Sequence, residues 1–390
     1  MKFPKREAFG WQEYFSLIKC ATYYRIKKVD PPYDGVFQKK LELRFVKLFK
    51  AKSARLVSSG TSAVYVALKS LELQPGSPVL VSSITDGGCI SAIIEAGLKP
   101  VLIDTGLQTF NINLKTVVEA FEETKKISGV YPSCCVACHI GGEPISQISE
   151  IADWCFSKKI TLIEDCSQTI KGKVDSKYAG MFGQLAVFSL MYRKNISSSG
   201  SAGIIVVNDD VYSNKVLAYS DRGKPLWKKN LYLNDPGLSL FPALNHNSNE
   251  FTAAITLSSL NRINKTIEKR TKFCLNLLGR IHLDCIPLQN VAFNADWSPF
   301  YLTLFAKDLS TSKLKAMAED LLKNSKVPLL INYGCLASKW GWLQPYLAFV
   351  RHLPNAEFNI NHSFNLFVNE KYRLPHVRYI IRAMKIATKN

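Results

Sequence analysis

Short apolar segments alternate with helical segments along residues 53–207, and this alternation constrains the fold more than any other feature. The apolar segments are rich in valine, leucine and isoleucine, as buried strands are. Strands are predicted at 55–57, 78–81, 100–104, within 130–139, and at 160–164, 186–188 and 203–207, with helices at 61–73, 88–96, 114–124 and 146–157. Strands and helices in this order predict an α/β fold with a mainly parallel sheet.

The length of 390 residues predicts two domains. We expect a large domain at 1–248, which begins with a helical arm at about 1–50, and a smaller α+β domain at 249–390. Lys39–Lys50 within the arm has the pattern of an amphipathic helix. The second domain is predicted to contain helices at 251–269, 312–323 and 375–387 and a strand at 301–305.

Polar residues follow several of the predicted strands. Parallel sheets bind ligands at the carboxyl ends of their strands, so these residues are expected to share one site. They are Ser59, Thr85, Asp104, His139, Asp165 and Ser189.

Lys194 and Asp165 have the chemistry of a pyridoxal phosphate site. A lysine amine forms a Schiff base with the cofactor aldehyde, and a carboxylate keeps the pyridine nitrogen protonated. A lone lysine is usually a surface residue. Lys194 is more informative because Ser189 precedes it by five residues and because Ser58–Ser62 begins a helix, where free amides can bind phosphate. A Ser/Thr helix cap is the ordinary alternative for that segment.

These segments resemble, in order, the motifs of the DegT/DnrJ/StrS family of pyridoxal-phosphate-dependent sugar aminotransferases. The resemblance covers about residues 40–270 and continues more faintly to the end. The matching segments are Ser59-Gly60-Thr61-Ser62-Ala63, Gly97–Asp104 with Phe110–Asn113, His139–Gly142, Glu164-Asp165-Cys166-Ser167-Gln168, Phe188–Lys194 and Asn245–Ile255.

The resemblance implies an aspartate-aminotransferase-like (fold type I) transferase that uses pyridoxal 5'-phosphate. Lys194 would be the catalytic Schiff-base lysine, and Asp165 would face the pyridine nitrogen. Asn245 would reach the cofactor phosphate of a neighbouring subunit, which implies a homodimer with shared sites. The other cofactor-binding positions implied are Gly60, Thr61, Ser62 and Ser189 for the phosphate, Gln168 for the ring oxygen, and Asp86 beside the ring.

The resemblance also implies a reaction and its substrates. An amino group would move from an amino acid, glutamate being the expected donor, to a keto group of a nucleotide-linked deoxysugar. This chemistry belongs to polysaccharide or lipopolysaccharide biosynthesis.

Two positions depart from the family pattern. Asp86 occupies the position where an aromatic residue stacks on the ring, which leaves His139 as a candidate for that contact. Asn247 replaces an arginine. A pyridoxal-phosphate-binding regulator with altered or lost activity therefore stays open. A related sugar dehydratase is a further alternative, although those relatives have histidine in place of the lysine.

Composition limits the other classes of function. The net charge of +19 suits anionic small molecules or a solvated surface, and nucleic acid is a lesser alternative because the charges are scattered. No long apolar run or secretory signal is found, so neither a membrane partner nor secretion is expected. Ten cysteines fit a reduced, cytoplasmic protein. Cys135 and Cys138 have the spacing of zinc ligands, but a buried strand explains them better, and no metal is expected.

Overall fold

The computed structural model describes residues 1–228 and 235–388. The strands are β1 Ser53–Val57, β2 Pro78–Ser82, β3 Lys99–Ile103, β4 Cys134–Cys138, β5 Thr161–Asp165, β6 Lys173–Val174, β7 Lys177–Tyr178, β8 Leu185–Ser189, β9 Gly203–Val207, β10 Leu288–Gln289, β11 Tyr301–Ala306, β12 Leu329–Leu330 and β13 Ser363–Phe367. The helices are α1 Trp11–Lys27, α2 Val36–Phe49, α3 Gly60–Ser70, α4 Gly87–Glu95, α5 Leu114–Ser128, α6 Ile148–Ser157, α7 Ser213–Ser220, α8 Glu250–Asn261, α9 Ile263–Leu283, α10 Thr311–Lys323, α11 Pro354–Asn361 and α12 Leu374–Ala387.

Seven strands form the central sheet in the order β1-β9-β8-β5-β4-β2-β3. The pairs from β8 to β3 are parallel, whereas β9 runs antiparallel to both β8 and β1. The α/β architecture and the mainly parallel sheet are therefore confirmed. Because β2, β4, β5 and β8 are parallel neighbours, the loops after them meet at one edge of the sheet.

Side-chain caps explain where several helices begin. Ser59, Asp86, Asn113 and Asn249 each accept a hydrogen bond from a backbone N–H group in the first turn of the following helix. Such caps satisfy amide groups that have no partner inside the helix. The predicted cap at Asn113 is confirmed.

Two helical layers cover the central sheet. On one face, α3, α4 and α7 pack over β2 and β8, and on the other α5 and α6 pack over β3 and β5. A further core joins α1, α2 and α8 to β1, β8 and β9 through aromatic and aliphatic side chains. This packing holds the carboxyl ends of β5 and β8 rigidly in place, because their central residues are fully buried.

The second part of the chain has its own core. Strands β10-β11-β13-β12 form an antiparallel sheet, and α9, α10 and α12 pack against it. The single helix predicted at 251–269 is wrong: α8 ends at Asn261, Arg262 has non-helical backbone angles, and α9 begins at Ile263. The two helices separate because α8 packs on the N-terminal helices, whereas α9 packs on the second sheet.

The predicted division into 1–248 and 249–390 stays a prediction. Residues 229–234 and 389–390 fall within those ranges and lie outside the described residues. No helix in the described part of the chain has the length and hydrophobicity required to cross a membrane.

Candidate active site

A cavity of about 210 Å³ lies at the carboxyl ends of β2, β4, β5 and β8. Most of its polar lining comes from loops that directly follow these strands. The lining residues are Ser59, Gly60, Thr61, Val64, Thr85, Asp86, Cys89, Cys138, His139, Ile140, Asp165, Ser167, Gln168, Ser189, Met191, Lys194 and Ser201. Seven of the nine predicted site residues are thus brought together, while Ser62 and Asn245 are not among the lining residues.

The start of helix α3 forms one wall of the cavity. Ser59 caps the helix by accepting a hydrogen bond of 3.0 Å from the Ser62 amide. A Cβ atom on Gly60 would lie 2.9 Å from Cβ of Ser189, so only glycine allows the helix to approach β8 this closely. The amides of the first turn have no partner within the helix and carry partial positive charge. This wall therefore suits a phosphate group.

Lys194 forms the opposite wall, in the turn after β8. Its amide donates to the Met191 carbonyl, and its Nζ atom lies 4.9 Å from the centre of the Phe300 ring. Burial lowers the pKa of the Lys194 amine, and the negative charges of Asp165 and Asp86 partly oppose this effect. A lysine with a lowered pKa has a larger neutral fraction and is a better nucleophile.

Asp165 ends β5 at the base of the cavity and is buried. Its Oδ1 atom accepts from the Ser167 amide at 2.9 Å, and the Cys138 thiol lies 3.9 Å from Oδ2. A carboxylate accepts a strong, charge-assisted hydrogen bond from a cationic N–H group. It is therefore suited to hold a cationic N–H group of a ligand.

Glu164 and His139 form a buried support beneath the cavity. The Glu164 carboxylate accepts from the amides of Gly180, Phe182 and Gly183 at 2.7–2.8 Å, and it lies 3.1 Å from His139 Nε2. His139 Nδ1 accepts from the Ile145 amide, so Nε2 is the protonated nitrogen. This network fixes the histidine ring where it lines the cavity.

Gln168 connects the cavity to the second part of the chain. Its Oε1 atom accepts from the Gly141 amide at 2.8 Å, and its Nε2 atom donates to the Tyr333 hydroxyl at 3.2 Å. Burial raises the pKa of Tyr333, so its hydroxyl stays protonated. The sequence analysis singled out neither Tyr333 nor Phe300.

Asp86 lies at the rim of the cavity, and the chain at Cys335 runs beside the end of β2. The Asp86 side chain caps α4 by accepting a hydrogen bond from the Gly88 amide. The Thr85 amide, which follows β2, donates a hydrogen bond to the Cys335 carbonyl. The carboxylate of Asp86 raises the pKa of the Cys335 thiol, after the larger effect of burial. An acidic side chain thus stands at the rim where the resemblance leads one to expect an aromatic ring.

Ser62 and Asn245 are held outside the cavity of their own chain. The Ser62 hydroxyl is bonded to those of Ser58 and Ser59. Asn245 is exposed, and its Oδ1 atom accepts from both the amide and the side chain of Asn247. Asn247 in turn accepts from Arg55, a buried arginine that sequence reasoning did not single out.

The cysteine spacing does not produce a zinc site of the kind weighed from the sequence. Cys135 and Cys138 point to opposite faces of β4 and lie in different cores. In the described residues two other groups bring possible ligand atoms together: Cys89 with Cys138 and Asp165, and His139 with Glu164 and Cys166. Both ring nitrogens of His139 are already engaged in hydrogen bonds.

Known proteins share this architecture and sequence pattern. The model of the DegT/DnrJ/EryC1/StrS aminotransferase family matches residues 27–385. The chain belongs to this family. A GDP-perosamine synthase of Vibrio cholerae is 28% identical over 268 residues, which are 67% of this chain and 68% of the relative.

Two further comparisons agree with this assignment. A dTDP-4-dehydro-2,3,6-trideoxy-D-glucose 4-aminotransferase of Saccharopolyspora spinosa is 31% identical over 165 residues, or 42% of this chain and 40% of the relative. The X-ray structure of the aminotransferase from Psychrobacter cryohalolentis has a TM-score of 0.86 at 20% identity and covers 100% of this chain and 99% of that one.

Membership of the family confirms the resemblance found in the sequence motifs. It also confirms the expected fold and the expected pyridoxal-phosphate-dependent aminotransferase. The residues present fit this cofactor. One cavity contains the Lys194 amine, the buried Asp165 carboxylate and the start of α3, where Gly60 lets the helix lie close to β8. The free amides of that helix start suit a phosphate. The individual roles of the lining residues stay predictions.

Proposed function

We propose that the protein transfers an amino group from glutamate to a keto group of a nucleotide-linked deoxysugar. The observation that carries the proposal is that Lys194, Asp165 and the start of α3 line one cavity. The names of the relatives support the substrate class, since one is a GDP-perosamine synthase and another aminates a dTDP-linked keto sugar. We propose that the segment around residues 335–337, which pairs with residues 83–85 beside the cavity, contacts the sugar.

Each wall of the cavity has a proposed task. Bound pyridoxal phosphate supplies an electron sink that stabilises negative charge at the carbon attached to the reacting nitrogen. Asp165 holds a proton at the pyridine nitrogen, which keeps that sink effective. Lys194 would hold the cofactor in the resting enzyme, and its free amine would act as the base that takes a proton from the α-carbon of the donor amino acid. Gly60, Thr61 and Ser189 orient the phosphate, and Gln168 contacts the ring oxygen. Asp86 is proposed to contact the cofactor from the rim.

The lysine decides between transamination and the dehydratase alternative. A dehydratase of this family has histidine at the position of Lys194, and histidine cannot bind the cofactor covalently. Lys194 therefore favours amino transfer. Turnover of glutamate distinguishes an enzyme from a cofactor-binding regulator, since a regulator has no need to consume the donor.

A spectrum of the purified protein tests this function. The visible band of bound cofactor should decrease when glutamate is added and return when a keto sugar nucleotide follows. A Lys194→Ala variant should show neither change. A protein that binds the cofactor but leaves glutamate unreacted would contradict the proposed enzyme and favour the regulator.

We further propose a homodimer in which Asn245 completes the partner's site. The exposure of Asn245, outside the cavity of its own chain, supports this arrangement. Mixing of inactive Lys194→Ala and Asn245→Ala subunits provides a test. Shared sites predict that hybrid dimers regain activity, because one of their two sites then contains both original residues. Sites formed within one chain predict no recovery.

We propose a cytoplasmic location and a place in polysaccharide or lipopolysaccharide biosynthesis. The ten cysteines support the location, since each is a free thiol. Fractionation of cells that express the protein provides the test. Recovery with the periplasmic or secreted fraction would contradict the cytoplasmic location.

A further inference from the structure

The outer face of helix α1 carries a stripe of exposed apolar side chains. Trp11, Phe15 and Ile18 are 75%, 62% and 46% exposed, and Ile26 continues the stripe at 73%. Their successive spacings of four, three and eight residues place them along one side of the helix. The opposite side of α1 packs into the protein through Cys20 and other buried residues. The stripe is therefore a second apolar face that the described chain leaves uncovered.

A basic groove lies beside this stripe. It runs between α1, α2 and α8 and has a volume of about 390 Å³. Four of its lining residues are basic, and among the described residues that line it none is acidic; the basic ones are Lys19, Lys40, Arg44 and Lys47. Leu43, which also lines the groove, is exposed and adds apolar surface between the charges.

Basic residues outnumber acidic residues in the N-terminal region. Residues 1–50 contain twelve lysines and arginines but only five aspartates and glutamates. Glu13 is buried against Arg262, and Glu42 lies 3.9 Å from Arg55 inside the fold. Glu7 and Asp30 are exposed, and Glu7 pairs with Lys371. The basic residues still outnumber the acidic ones by more than two to one, so this region carries a net positive charge.

We propose that this face of α1 and α2 docks onto the surface of an anionic phospholipid bilayer. Aromatic side chains favour the boundary between lipid head groups and acyl chains, and nearby lysines and arginines are attracted to anionic head groups. The absence of a spanning helix is compatible with such peripheral contact. A second copy of this chain fits less well, because a two-fold interface would bring the same positive surface against itself. Nucleic acid offers no apolar layer for Ile18 and Leu43.

Vesicle sedimentation with the full-length, cofactor-loaded protein tests the proposal. The protein should sediment with vesicles that contain phosphatidylglycerol and remain in solution with pure phosphatidylcholine. Binding should weaken as salt rises to about 0.15 M, where the screening length is roughly 8 Å.

Variants separate the apolar and electrostatic contributions. Trp11→Ser with Phe15→Ser should reduce vesicle affinity by about tenfold or more, because both side chains lose burial in the boundary. Lys40→Gln with Arg44→Gln should reduce it by roughly fivefold per charge. Phe156→Ser, which removes a side chain that is 78% exposed on another helix, is the matched control and should bind normally.

Three results would overturn the proposal. They are no sedimentation with phosphatidylglycerol at low salt, an equal loss of binding in the Phe156→Ser control, or dissociation of a dimer by the Trp11 and Phe15 substitutions in light scattering. The last result would assign the face to a second copy of the chain. Retained aminotransferase turnover in each variant would show that the fold is intact.

Discussion

Replacing Gly60 with alanine tests the proposed phosphate wall of the cavity. Gly60 is the first residue of α3, and its backbone angles do not require glycine. The added Cβ atom would lie 2.9 Å from Cβ and 3.3 Å from Cα of Ser189. These are firmly placed atoms at the end of β8, so the helix start has to move away from the strand.

The size of the effect follows from this overlap. Insertion of a methyl group into a packed contact costs about 1–3 kcal/mol. If the start of α3 moves to relieve that overlap, its amide groups move with it and bind the cofactor phosphate less tightly. The dissociation constant for pyridoxal phosphate should then increase by roughly five- to 150-fold, since about 1.4 kcal/mol corresponds to a factor of ten.

Gly87→Ala provides a matched control. Gly87 is also the first residue of a helix near the cavity, but an added Cβ atom would meet nothing within 4 Å. Titration of the cofactor-free protein with pyridoxal phosphate, followed by absorbance, measures both variants. We expect Gly87→Ala to bind like the parent protein. Unchanged affinity in Gly60→Ala, or equal weakening in both, would refute the reasoning.

Three other substitutions test the support and electrostatics of the cavity. Glu164→Gln should destabilise the fold by roughly 2–6 kcal/mol, measured as a lower thermal midpoint, because either amide orientation leaves two buried N–H donors unpaired at about 1–3 kcal/mol each; an unchanged midpoint would contradict this. Gly203→Ala should also lower the midpoint, since its Cβ atom would lie 2.2 Å from a backbone oxygen, whereas Gly200→Ala, with nothing within 4 Å, should not. Asp86→Asn removes a charge that raises the pKa of Lys194, so the neutral amine should persist to lower pH. Cofactor loading of the variant apoprotein should then extend to lower pH, and a shift towards higher pH would refute that role.

The central sheet was predictable because each of its strands is a short apolar segment and most of these segments alternate with helices. Most of the polar residues at the strand ends converge for the same reason, since parallel strands share one direction. Asp104 does not line the cavity and instead accepts hydrogen bonds from the Asn355 and Ala356 amides at the start of α11. Thus Asp165, Ser189 and Lys194 could be assigned to one cavity from the sequence.

Contacts between distant parts of the chain were not predictable. Tyr333 reaches Gln168 from 165 positions away, and no local pattern marks that contact. The break at Arg262 was missed because the apolar pattern continues through it while the packing partner changes. Strands β10 and β12 have two residues each, too few to show a period.

The central claim is that Lys194 carries the cofactor. Borohydride reduction of the purified protein, followed by peptide mass mapping, tests this claim most directly because reduction makes a lysine-linked cofactor permanent. We predict the added mass of the cofactor on the peptide that contains Lys194, and no labelled peptide in Lys194→Ala. Label on a different lysine, or an unlabelled protein that still turns over glutamate, would contradict the account.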